Sequence, residues 1–144
     1  MIFNFFPKKT AEEYLAKAKR RQDNRHIKPR IAYWDVCEYI SKAKAIEPNN
    51  PKVYLFSCMS NVEFNIFDKA ISDASKCIEL DSRCEYNATC YFLRGFSFFY
   101  KKKLNESIAD LKIAISIDPN NNLAKECLEK FLKVKNGELN FEDV

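Results

Sequence analysis

The sequence predicts an all-α fold of stacked helix pairs, and three observations carry that expectation. Only two glycines, Gly95 and Gly137, occur in 144 residues, and long stretches without Gly or Pro are rich in Ala, Lys, Glu, Leu and Ile. Such stretches favour helices joined by short connections. Apolar residues also recur at three and four residues, the helical period, as in Ala124, Cys127, Leu128, Phe131 and Leu132. The third observation is self-similarity. Small residues at Ala43, Cys77 and Ala114 are spaced 34 and 37 apart, as are Val36, Ala70 and Ser107, and so are Tyr33, Phe67 and Leu104.

Each element follows from this frame. A helix over about 10–24 carries Tyr14 and Ala18, and a second over about 30–46 ends at Ile46-Glu47-Pro48. The next pair opens near Tyr54, with Cys58 one turn later, and continues through Phe67, Asp68-Lys69-Ala70-Ile71 and Cys77. Three extra residues precede the following copy, Tyr91-Phe92-Leu93-Arg94-Gly95-Phe96-Ser97-Phe98, whose partner helix runs through Ser107, Ile108, Leu111 and Ala114. Pro119 with Asn120 and Asn121 closes it, because proline cannot continue a helix and asparagine favours turns. A last helix over about 121–135 has one largely apolar face, and Asn136-Gly137 is a suitable stop.

The period and these motifs resemble the tetratricopeptide-repeat (TPR) family, whose unit is a helix–turn–helix of about 34 residues. The resemblance implies a TPR-type α-solenoid of antiparallel helix pairs with about seven helices. It divides the chain into an apolar segment at 1–9, a TPR domain at 10–135 and a tail at 136–144. Within the domain, repeat 1 takes about 10–48, repeat 2 about 51–82, repeat 3 about 88–119, and a capping helix about 121–135. The third copy matches best, with Tyr91 in the aromatic place and Gly95 where the two helices approach closely; in the second copy Cys58 replaces the glycine and Asn61 the aromatic. A helix pair cannot bury its apolar face alone, so the stack needs its cap.

Composition excludes several classes of function. The formal net charge is +4 with both signs interspersed, so no global field calls for nucleic acid or a membrane. No stretch approaches the roughly 20 apolar residues that span a bilayer. The six cysteines stand singly, without Cys-x-x-Cys and with one histidine, His26, so no metal or cofactor is expected. Free thiols in a reducing, cytoplasmic compartment are the expectation. Catalysis is not expected either, because Cys37, Cys58 and Cys77 fall where a helix stack needs small packing residues.

Binding to another protein is therefore the expected function, in the manner of an adaptor or co-chaperone. The helix over about 88–101 is apolar on two faces. Phe92, Phe96, Phe99 and Tyr100 form a second stripe beside the one that carries Tyr91, Gly95 and Phe98. By the TPR resemblance this stripe looks onto the concave groove, together with Leu55, Met59 and Val62 of the preceding repeat. Such a groove suits a peptide or an amphipathic helix. A helix apolar all round is equally explained by burial under the chain's own ends, for which Ile2, Phe3, Phe5 and Phe6 or Leu139, Phe141 and Val144 are candidates.

Two alternatives stay open. TPR co-chaperones hold the terminal carboxylate of a heat-shock protein with Lys, Asn and Arg, but the corresponding positions here are Phe56, Thr89 and Leu93, with Arg94 one residue away. A chaperone partner of that kind is the runner-up. The basic patch Arg20, Arg21, Arg25 and Lys28, together with Lys101-Lys102-Lys103, suits RNA or an acidic partner. No nucleic-acid motif accompanies it, so the charges are read as helix-end and surface residues.

Overall fold

Helices dominate the computed structural model, which describes residues 9–24 and 29–144. The described residues form α1 (Ala11–Gln22), α2 (Pro29–Ile46), α3 (Pro51–Glu63), α4 (Phe67–Leu80), α5 (Asn87–Tyr100), α6 (Leu104–Ile117) and α7 (Asn122–Lys135), followed by a 3-10 turn at Phe141–Asp143. No strand occurs among them, so the all-α class expected from the sequence is what the chain adopts. The apolar run Ile2 to Phe6 lies outside the described residues, as do Arg25, His26 and Lys28.

The chain divides into two units, residues 1–49 and 50–144. In the first, α1 packs on α2. Thr10 starts α1 with a reciprocal cap: its hydroxyl accepts from the Glu13 amide at 3.2 Å, and the Glu13 carboxylate accepts from the Thr10 amide at 3.2 Å. This arrangement satisfies donors that the first helical turn leaves unpaired. Ala11, Leu15 and Ala18 of α1 and Ala32, Val36, Ile40 and Ala43 of α2 are buried.

In the second unit each helix from α3 to α7 packs on the next. The first helices of successive pairs, α3, α5 and α7, are neighbours as well, so they form one row and α4 and α6 the other. Helix starts follow local chemistry. Asn50 caps α3 by accepting from the Lys52 amide at 2.9 Å ahead of Pro51, and Asn121 caps α7 by accepting from the Ala124 amide at 2.9 Å. α4 and α6 have no side-chain cap. Each follows a tight reversal through a left-handed residue, Asn65 (φ 60°) or Lys102 (φ 59°).

Gly95 shows why one position in α5 must lack a side chain. A Cβ there would lie 3.0 Å from the Ser107 carbonyl oxygen and 3.1 Å from the Asp110 Cβ. The close approach of α5 and α6 expected at this glycine is therefore present. Two hydrophobic clusters fill the unit. One is made of small residues, Cys58, Ala70, Ala74, Cys77 and Cys90. The other is built on Phe99, Ile108, Leu111, Ala124, Cys127 and Phe131.

Candidate peptide-binding face

Helix α5 presents rings on more than one side, and the structure sorts them. Phe92, Phe96 and Tyr100 recur every four residues, which places them in a row along one helix face. Their rings are in sequence: Phe92 to Phe96 at 6.2 Å between centroids and Phe96 to Tyr100 at 4.9 Å. Phe67, the first residue of α4, extends the row by stacking on Tyr100 at 4.7 Å and 6°. Tyr100 is 45 % exposed, and Phe92 and Phe96 are half-buried. An aromatic ladder thus runs the length of α5 with part of its surface open.

Phe99, expected to line the groove, does not. It is 1 % exposed and sits in the core. Phe131 of α7 stacks on it at 3.7 Å and 6°, and Phe141 stacks on it at 4.1 Å and 10°. Two rings this close and parallel to one ring cannot share a face, so Phe99 is the middle of a three-ring stack. Tyr91 and Phe98 are the residues that the repeat pattern assigns to the packing face. Both are half-buried and carry a cation over the ring, Arg94 at 5.1 Å and Lys103 at 5.8 Å.

Leu55 and Val62 of α3 are half-buried against the small-residue cluster, which also takes Leu93 of α5, whereas Phe92 and Phe96 pack against the Phe99 cluster. Met59 is 48 % exposed. The sequence-predicted set therefore falls on two clusters bridged by α5. Within the ladder the structure also adds Phe67, whose equivalence to Leu104 and Tyr33 in the repeat pattern concealed its contact with Tyr100.

The positions relevant to carboxylate capture are occupied otherwise. Phe56 and Leu93 are half-buried, and Thr89 is exposed. Arg94, the nearest basic residue, is engaged between helices. Its Nε and one terminal nitrogen donate to the two Asp110 carboxylate oxygens at 2.7 and 3.0 Å, and its other terminal nitrogen donates to Ser75 Oγ at 3.0 Å. The Asp110 carboxylate raises the guanidinium's already high pKa, so the charge is fixed. A bidentate guanidinium–carboxylate pair of this kind is rigid as well as strong.

The basic positions are dispersed. Arg20 is exposed on α1, and Arg21 pairs with Asp35 at 3.0 Å. Lys101 pairs with Asp68 at 2.9 Å, and Lys102 occupies the left-handed turn. Among the described residues no group of three or more His, Cys, Asp and Glu is placed to hold a metal ion. No described helix is long and apolar enough to cross a membrane.

No family model matches the sequence. The solved structure of the first TPR of Spaghetti (RPAP3), bound to the HSP90 peptide SRMEEVD, superposes with a TM-score of 0.76, covering 88 % of this chain and 94 % of that one at 21 % identity. The fold is that of a TPR domain. The first TPR domain of human RPAP3 gives the same TM-score of 0.76 at 21 % identity, and the Arabidopsis OM64 TPR domain gives 0.69 at 20 % over 85 % of this chain and 98 % of that one. In sequence, this chain is 24 % identical over 134 residues to the Hsp70-Hsp90 organizing protein of Triticum aestivum, covering 90 % of this chain and 22 % of that protein. It is 25 % identical over 121 residues to Hsp70-Hsp90 organizing protein 2 of Arabidopsis thaliana, covering 78 % of this chain and 20 % of that protein. The chain thus spans about a fifth of the length of these relatives.

Proposed function

We propose that this TPR domain is a protein-interaction module of the adaptor or co-chaperone type, acting in the cytoplasm, whose first-helix face takes an apolar segment of another protein. The observation that carries the reading is the partly open ladder Phe92–Phe96–Tyr100–Phe67. Rings held in a row by a helix offer large contact area with little side-chain entropy left to lose. Apolar groups at helical or extended spacing on a partner would pair with them, and the surrounding polar surface would set the limits of the site.

A second reading has support from the comparisons: the Spaghetti domain is bound to an HSP90 peptide, and the sequence relatives are Hsp70-Hsp90 organizing proteins. A heat-shock-protein C-terminus is the partner it suggests. Phe56, Thr89 and Leu93 supply no cation or amide for the terminal carboxylate, and Arg94 is committed to Asp110 and Ser75. We therefore favour apolar recognition over carboxylate capture.

Two measurements separate the readings. Fluorescence anisotropy with labelled SRMEEVD should show weak or no binding to the wild-type chain. Affinity capture from native lysate, compared by mass spectrometry, should lose its specific partners in Phe92→Ala with Phe96→Ala while circular dichroism keeps its helical signature. Tight SRMEEVD binding that survives the double substitution and fades with added salt would establish the second reading.

A further inference from the structure

The segment that follows α7 does not leave the molecule. Gly137 adopts φ 73°, and the amides of Gly137 and Glu138 donate to the carbonyls of Val134 and Lys133 at 3.1 and 2.9 Å, closing the helix with a reversal. Such a left-handed glycine closure turns the chain back on itself. Asn140 then nucleates the 3-10 turn: its carbonyl accepts from the Asp143 amide at 3.1 Å, and its side-chain amide donates to the Asp143 carboxylate at 3.0 Å. Phe141 and Val144, three residues apart, both pack on the Phe99 cluster against which Phe92 and Phe96 also lie, while Glu142 and Asp143 between them are exposed.

This placement resolves the fate of α5's second stripe. Phe141 covers the free face of Phe99 and leaves the Phe92–Phe96–Tyr100 ladder beside it only half covered. Phe141 is held by its packing on this cluster, where it stacks on Phe99, and by a short turn, and the contact joins segments 42 residues apart in sequence (Phe99 and Phe141). By contrast Phe131 reaches the other face of Phe99 from a full helix. The inner ring of the stack is built into the fold; the outer one is delivered by a loop.

We propose that residues 139–144 act as an intramolecular pseudo-ligand, so that the binding face takes peptides bearing an aromatic residue and, three residues later, an aliphatic one, with acidic residues between. The inference rests on the apolar-recognition reading above. A partner must displace Phe141 and Val144 to reach Phe99, so the free chain's affinity is scaled down to the fraction of molecules in the open state. Acidic residues between the two anchors stay in solvent, where they keep the segment soluble once it is displaced. Gly137 is the hinge. A Cβ there would meet no atom within 4 Å, so Gly137→Ala perturbs only the left-handed backbone that the return requires.

The test uses the full chain and a labelled peptide of sequence LNFEDV, equivalent to residues 139–144. Phe141→Ala with Val144→Ala should remain helical and bind the peptide about 10-fold or more tightly than wild type, because the internal competitor is gone. Gly137→Ala leaves both anchors in place and should also raise affinity, by about 5- to 30-fold at most, the cost of a left-handed non-glycine residue. Equal peptide affinity for wild type and both variants overturns the proposal. If the double variant unfolds, Gly137→Ala decides alone, and unchanged affinity there overturns it too. Adding Phe92→Ala and Phe96→Ala to the double variant identifies which reading fails. Peptide binding at undiminished affinity in this variant shows that the Phe92–Phe96 ladder takes no part and removes the apolar-recognition reading. No peptide binding anywhere, with partner capture still dependent on Phe92 and Phe96, removes only the pseudo-ligand.

Discussion

Repeats 2 and 3 lie in one unit and align in sequence at an offset of 37, yet they are locked by different chemistry. Asp73 and Asp110 occupy the same position of their second helices, and both are buried. In repeat 2 two neutral donors hold the carboxylate, Ser57 at 2.6 Å and Asn61 at 3.0 Å. In repeat 3 the residue equivalent to Ser57 is Arg94, which takes both oxygens of Asp110 and reaches back to Ser75 of the previous pair. The apolar fillers differ as well: repeat 2 buries the small Cys58, Ala70, Ala74 and Cys77, whereas repeat 3 supplies the larger Phe99, Ile108 and Leu111 to the second cluster. The backbone preserves a buried acceptor and a close helix approach, and the donors and fillers are free to change.

The largest expected difference between the repeats is in their aromatic layer. Phe99 and Val62 are equivalent, but Phe99 is fully enclosed by two rings and Val62 is half-buried. Phe99→Ala should cost about 3–5 kcal/mol, the usual loss for an enclosed ring, with Val62→Ala near 1 kcal/mol. Urea denaturation of both variants measures this. Equal losses would mean that the three-ring stack is not a stability centre.

Next in size is the polar lock. Arg94→Ala leaves the Asp110 carboxylate buried without its counter-charge and should cost about 3 kcal/mol, since breaking a buried pair is worse than never having one. Ser57→Ala leaves Asp73 still bonded to Asn61 and should cost about 1 kcal/mol. Thermal melts at neutral pH separate them. A loss for Arg94→Ala no larger than for Ser57→Ala would show that the ion pair adds nothing beyond neutral hydrogen bonds.

The fold was legible in the sequence because period and spacing survive changes of filler. The 34- and 37-residue intervals, Gly95 and the apolar face of α7 all led to the observed helices. The site was less legible for a specific physical reason. A helix apolar on one side declares its buried face, but α5 is apolar nearly all round, and moving the reading by one residue rotates the face by about 100°. That is why the pattern assigns Phe99 to the groove while the fold buries it. Arg94's partner was not legible, because the sequence aligns Arg94 with Ser57 and Asp110 with Asp73 but does not say that either pair meets. Nor was the covering of Phe99 by Phe141, since sequence offered two apolar ends and no rule for choosing between them.

A smaller comparison concerns the turns. Asn65 and Lys102 are equivalent and both adopt the left-handed region. Asparagine tolerates it better than lysine because its short polar side chain can bond locally. Lys102→Gly should therefore stabilise the protein by up to about 1 kcal/mol, and Asn65→Gly by only a few tenths. Differential scanning calorimetry of the two variants would read the ranking, and a reversed order would mean that Lys102 gains more from its contacts than its backbone loses.

A last comparison concerns the small-residue ladder, where repeat 2 has Ala70 and repeat 3 has Ser107. Both are 0 % exposed, and the Ser107 hydroxyl has no hydrogen-bond partner among the described residues. Burying an unsatisfied hydroxyl is unfavourable, whereas an alanine fills nearly the same space without a polar atom. Ser107→Ala, which writes the repeat 2 residue into repeat 3, should thus leave stability unchanged or raise it by up to about 1 kcal/mol. The converse Ala70→Ser places an extra oxygen in the cluster of Cys58, Cys77 and Cys90 and should destabilise by about 1–3 kcal/mol. Chemical denaturation of the two variants makes the comparison. A clear loss in Ser107→Ala would show that the hydroxyl is satisfied by an ordered water, and the two repeats would then differ in hydration as well as in side-chain chemistry.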